Sequence, residues 1–177
     1  MRKVKMYQLY ADTTLSAAVC QYALHLNDGR EKMERRSGRC RCGQVEFAVV
    51  EPTLVTMACH CTGCQQMTGS AFSLSELYAL DAFEVTSGEP VIGGMKKEPK
   101  HFFCPECMSW IFTRPDEVGS FVNVRATMME GAREFIPFIE TYTDEMIPWA
   151  STGAAHRFAK FPSADDFPKL IEAYAQI

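Results

Sequence analysis

The chain has 177 residues, 47% of them apolar, with eight cysteines and a formal net charge of −4. That length and apolar share support one packed domain with a real core rather than two domains. The acidic balance, without a large basic cluster, argues against a nucleic-acid surface, and no run approaches the roughly 20 apolar residues that a membrane span requires.

Residues 1–37 differ in texture from the rest and read as an N-terminal extension, helical or mobile. The basic start, Met1-Arg-Lys-Val-Lys5, runs into Gln8, Asp12, Thr13 and Thr14, which spoil the apolar stretch of a signal peptide. From Asp12 or Thr13 the spacing predicts an amphipathic helix with Leu15, Ala18, Val19, Tyr22 and Leu26 on one face. A charge-rich segment from Asn27 to Arg36 follows, and residues 38–177 read as the folded domain.

From Gly38 onward the chain reads as short strands between turn residues. Candidate strands are Val45 to Val50, Leu54 to Ala58, Ala71 to Leu77, Val91 to Gly94, His101 to Phe103, Trp110 to Thr113, Phe121 to Arg125 and Phe138 to Tyr142. Glu51-Pro52, Gly93-Gly94 and Arg114-Pro115-Asp116 supply breaks between them. Helix is confined to a turn after Cys61, a turn near Gly131 and the stretch Asp165 to Ala175. The expected class is mainly β, in antiparallel sheet, with short helices.

Seven of the eight cysteines fall into three clusters: Cys40-Arg-Cys42, Cys59-His-Cys61-Thr-Gly-Cys64 and Cys104-Pro-Glu-Cys107. Disulfides between such near neighbours are strained, so metal ligation is the better reading. Thiolate ligands must stay reduced, which points to a reducing compartment, the cytosol or nucleus, and the expected localisation is cytoplasmic. The two pairs, Cys40 with Cys42 and Cys104 with Cys107, have the numbers for one closed structural zinc site. Cys59, Cys61 and Cys64 supply three ligands for a second zinc and leave a position for substrate. Three thiolates acidify a bound water little but still hold a bound thiol as thiolate, so sulfur-containing substrates are favoured over hydrolysis.

Other residues read more plainly. Alternation along a strand turns His60 away from its cysteine neighbours, so it is expected not to ligate. Cys20 reads as a lone thiol. Gly43 suits the left-handed backbone that follows such ligand turns, whereas Met108 in the equivalent place would be strained. Small residues in Thr68-Gly69-Ser70-Ala71-Phe72 would let a ligand approach the backbone. Phe72, Phe102, Phe103, Trp110, Phe112 and Trp149 read as core. Arg114, Arg125 and Glu140 occupy strand-like positions and are candidate substrate contacts, with surface ion pairs as their ordinary use.

Taken together, Gly38-Arg-Cys-Arg-Cys-Gly-Gln-Val-Glu-Phe47, Cys59-His-Cys-Thr-Gly-Cys64 with Gly69-Ser-Ala-Phe72, and Phe103-Cys-Pro-Glu-Cys107 with Trp110 resemble the glutathione-dependent formaldehyde-activating enzyme family, which includes centromere protein V. The resemblance implies several small antiparallel sheets leaning together around zinc in a β-tent. It also implies a structural zinc on Cys40, Cys42, Cys104 and Cys107 and a catalytic zinc on Cys59, Cys61 and Cys64. The activity implied is carbon-sulfur lyase or adduct-forming chemistry on a small thiol, of the glutathione–formaldehyde type. A non-catalytic, zinc-stabilised module for a protein partner is the alternative. Met108 stands where relatives have glycine, and Glu140 where relatives often carry histidine.

Overall fold

A computed structural model describes residues 34–94, 99–114 and 121–177. Cys20 and the helix expected from Asp12 to Leu26 lie outside the described residues. The domain is mainly β. Its strands are β1 (Arg35–Arg39), β2 (Glu46–Val50), β3 (Val55–Cys59), β4 (Ser73–Ala79), β5 (Phe83–Ser87), β6 (Val91–Gly93), β7 (Lys100–Phe103), β8 (Trp110–Arg114), β9 (Phe121–Arg125), β10 (Ile139–Thr141) and β11 (His156–Arg157). Among the described residues there are two α-helices, α1 (Thr62–Thr68) and α2 (Phe167–Tyr174), and neither is long and apolar enough to cross a membrane.

The strands form two sheets. The smaller has the order β1-β2-β5, and the larger has the order β11-β10-β3-β4-β9-β8-β7-β6. The larger sheet is not wholly antiparallel: β10 runs parallel to both β3 and β11. Three residues of β10 are too few to show a pairing direction in sequence, and the long connection from β3 to β10 permits the parallel arrangement. β1 begins at Arg35, so the last residues of the stretch set apart as an extension pair with β2.

Side chains alternate across the large sheet, and its two faces do different work. One face carries Tyr78, Phe112, Val122 and Val124, which pack against Phe47, Val49 and Phe83 of the small sheet in the main core. Each such burial contributes roughly 1.5–3 kcal/mol relative to exposure. Arg36 of β1 spans the same interface and reaches the buried Glu76 carboxylate at 2.8 Å, tying the edge strand to β4.

The opposite face divides along its length. At one end Val55, Leu77, Phe121 and Ile139 are covered by Phe167, Leu170 and Ile171 of α2. At the other end the inward positions become polar or sulfur-bearing, and α2 does not reach them. Trp149, expected in the core, is 76% exposed, because it sits after Pro148 in the turn region that follows β10 rather than on a strand.

Candidate metal centres

The first cysteine group is built by two turns of matching design. Cys40 N–H donates to Val45 O and Gly43 N–H to Cys40 O; in the second turn Cys104 N–H donates to Ser109 O and Met108 N–H to Cys104 O. Gly43 has φ +80° and Met108 φ +56°, so both turns use left-handed backbone after the second cysteine. A side chain at that φ costs about 1–2 kcal/mol. The four sulfurs lie within 4.8 Å of one another. Cys40 and Cys104 are buried, and Ser109 Oγ lies 3.2 Å from Cys107 Sγ and is the first of the contacts that bring that thiol down to about 5.

The second group sits where β3 turns into α1. Cys59 ends the strand, Cys61 caps the helix with Sγ accepting from Cys64 N–H at 3.4 Å, and Cys64 lies in the first turn. Their sulfurs also lie within 4.8 Å of one another. The corner is anchored from outside: Glu145 accepts from both the Thr62 amide and hydroxyl at 2.7 Å, and Gln65 Nε2 donates to His60 O at 2.6 Å. Thiol donation from Cys59 and Cys61, followed by weaker help from Ser73 and Arg125, holds Cys64 well below the ordinary thiol range. The same contacts with Cys61 and Cys64 push Cys59 well above it. Like charges this close disfavour one another, so ionisation of all three sulfurs is favoured by a bound cation.

The donors in both groups are sulfur only, which fits a thiophilic ion rather than calcium or magnesium. The surroundings differ. The trio opens onto a cavity of about 80 Å3, room for only a few heavy atoms. Strand register explains its walls: Cys59 pairs with Ser73 and Thr141, Ser75 with Met57 and Arg125, and Thr113 with His101 and Asn123, all on one face. A bulge at Phe102/Phe103 sets Trp110 on that face as well, although it is three residues from Thr113. None of the first group's cysteines lines this cavity.

Of the three polar candidates, only Arg125 reaches the cavity, with its guanidinium 4.0 Å from the Trp110 ring centre. Arg114 instead lies over Phe102 and Phe112 at 5.8 and 5.7 Å. Glu140 and His60 lie on the far face, both 0% exposed, with His60 Nε2 3.3 Å from Glu140 Oε1. Glu140 also accepts from the Thr152 amide at 2.5 Å and hydroxyl at 2.8 Å, and Arg157 Nε approaches Oε2 at 2.9 Å. Burial acts to raise the Glu140 pKa, but Thr152 and then Arg157 outweigh it and the carboxyl stays ionised.

His101 was not distinguished in sequence from any other strand residue. Its ring lines the cavity, with Nδ1 2.9 Å from Thr113 Oγ1. Burial, then the nearby Arg125 charge, brings its pKa down to about 4, so the ring is neutral at physiological pH. A larger cavity of about 660 Å3, lined in part by Arg36, Glu76, Phe135 and Tyr174, contains no cysteine.

No curated protein matches the chain. A crystal structure of a Rhodobacter sphaeroides protein, a structural genomics target, is 22% identical with a TM-score of 0.43, covering 54% of this chain and 88% of that one. A family model, glutathione-dependent formaldehyde-activating enzyme, matches residues 35–145. With more than half of the chain matched, from β1 through both cysteine groups, the protein belongs to the glutathione-dependent formaldehyde-activating enzyme family.

Proposed function

We propose that the protein is a zinc-dependent enzyme that forms or cleaves the carbon-sulfur bond between a small thiol, such as glutathione, and an aldehyde carbon. The observation that carries this reading is the convergence of Cys59, Cys61 and Cys64 on the wall of a small cavity, while Cys40, Cys42, Cys104 and Cys107 have no share in it. On this reading the four-cysteine group holds a structural zinc and the trio a catalytic one. Zinc on three thiolates supplies a Lewis acid that keeps an incoming thiol ionised at neutral pH.

The protein's own groups supply the rest. Met57, Trp110 and Phe161 line the cavity with apolar surface, which restricts water and strengthens the electrostatic interactions inside. Arg125 adds a fixed positive charge on the same face as the trio and favours the thiolate. The cavity accommodates a sulfur and a one-carbon unit, while the body of a peptide thiol stays outside. The reduced cysteines that the reading needs suit the cytosol.

The test uses zinc-replete protein with glutathione and formaldehyde. Calorimetry is expected to show thiol binding, and exchange NMR a faster approach to adduct equilibrium, both lost in Cys61→Ser. Zinc-replete protein that neither binds small thiols nor changes the adduct rate contradicts the reading and favours a zinc-stabilised binding module.

A further inference from the structure

Two polar atoms on the cavity wall have roles that neither the cysteines nor Arg125 explain. His101, Thr113 and Asn123 are successive partners across β7, β8 and β9, so their side chains share one row of the sheet. Trp110 Nε1 donates to Thr113 Oγ1 at 3.1 Å. An indole N–H can only donate, so the Thr113 oxygen accepts there and its own proton must go elsewhere. Among the described residues the one acceptor recorded for it is His101 Nδ1, at 2.9 Å. Thr113 is buried, and a proton on Nδ1 would strand the hydroxyl without an acceptor. The His101 tautomer is therefore set by Trp110 through Thr113: Nδ1 accepts, and Nε2 carries the hydrogen.

On the other side of Thr113, Asn123 Oδ1 is buried and has no hydrogen-bond partner. Both residues line the cavity that holds the trio, so the row offers that cavity a donor at His101 and an acceptor at Asn123.

Resting on the function proposed above, we propose that His101 and Asn123 bind the oxygen of the reacting carbon: His101 Nε2–H donates to the aldehyde oxygen, and Asn123 Oδ1 accepts from the hydroxyl of the adduct. The ligand class is a hemithioacetal, a thiol bearing a hydroxyalkyl group on sulfur. In the forward direction the thiolate lone pair forms the carbon-sulfur bond and the carbonyl π pair moves onto oxygen. That alkoxide receives the His101 hydrogen bond and takes a proton from water, which balances the proton lost when the thiol ionised. Nothing is oxidised or reduced, and cleavage is the reverse. An aldehyde oxygen can only accept, whereas the adduct hydroxyl also donates, so the pair reads both ends of the reaction and rejects a simple thioether.

The experiment compares zinc-loaded wild type with His101→Phe, His101→Gln and Asn123→Leu. All should bind glutathione alone within about twofold of wild type, which also reports intact folding. With formaldehyde added, kcat for His101→Phe should fall about 100-fold, the usual loss of an oxyanion donor, and His101→Gln, which keeps an N–H, should recover most of it. Asn123→Leu should lose about tenfold of the preference for S-hydroxymethylglutathione over S-methylglutathione, one hydrogen bond's worth. Nitrogen NMR of the wild-type protein should show the Nε2–H tautomer at His101. Unchanged kcat and preference in variants that bind glutathione, or an Nδ1–H tautomer, overturns the assignment of the pair. Wild-type protein that binds no thiol overturns the functional reading itself, and the pair's role with it.

Discussion

Replacing Glu140 with alanine tests how the corner that presents the trio is held. The carboxylate is fully buried and serves three neighbours: His60, Thr152 and Arg157. Arg157 is half exposed and regains water when its partner is lost, so its share is under about 1 kcal/mol. His60 cannot regain water, because it is 0% exposed and its Nδ1 already lacks a partner. Stranding a buried polar group costs about 1–3 kcal/mol, and both His60 and the Thr152 amide are left behind. A loss of about 3 kcal/mol results, at the lower end of the roughly 3–5 kcal/mol found on removing one member of a buried pair. Glu140→Gln keeps an acceptor for Thr152 and should lose only about 1 kcal/mol. Urea unfolding at fixed zinc measures both, with the midpoint shifting and the slope unchanged. Because Cys59 and Cys61 flank His60, the alanine variant should also weaken zinc at the trio 10- to 100-fold by chelator competition, as loss of a group that orients ligands usually does. The KM for thiol should hardly move, since Glu140 faces away from the cavity. An alanine variant within about 0.5 kcal/mol of wild type, with unaltered trio affinity, would refute the reasoning.

Three further outcomes follow from the geometry. Met108→Gly relieves about 1–2 kcal/mol of left-handed strain at a residue whose side chain is mostly exposed, against roughly 0.5–1 kcal/mol of added chain entropy, so the melting temperature should rise by a few degrees; a fall would show that the turn is not strained. Cys61→Ser should remove about one of two bound zinc ions and leave the fold intact, as plasma emission and circular dichroism would report; loss of both metals would mean that the two groups are not independent. Burial and the Arg125 charge bring the folded-state His101 pKa down to about 4, below the ordinary imidazole value of 6.5. Its neutral form therefore contributes stability above about 6.5 that is lost as pH falls toward about 4. The stability difference between wild type and His101→Gln should shrink across that window, and a difference independent of pH would contradict the burial argument.

Much of this was legible in the chain because strands with one covered face alternate. Phe121-Val-Asn-Val124 and Val45-Glu-Phe47 show that rhythm, and the cysteine spacing gave both groups without any coordinates. β1 escaped because Arg35-Arg-Ser-Gly-Arg39 has no apolar alternation; it is held by backbone pairing to β2 and by the Arg36 contact with Glu76. β5 escaped because the turn residues at Ser87-Gly88 hid Phe83 and Val85 as strand positions. His101 and Asn123 were invisible for a different reason. A polar residue on a strand ordinarily faces solvent, and only the pairing of β7, β8 and β9 shows that these two share a face with the trio. Sequence alone leaves Glu140 a candidate substrate contact, with an ion pair as its ordinary use, because its strand parity cannot be linked to that of Cys59; the parallel register with β3 sets it beside Ala58, on the other face.

The most direct measurement is cobalt substitution followed by titration with glutathione. If the trio leaves one position for substrate, the charge-transfer absorption of cobalt-thiolate bonds should grow with added thiol, saturate at one thiol per chain, and be absent in Cys61→Ser. A spectrum already showing four protein thiolates at both metals, and indifferent to thiol, would contradict the account.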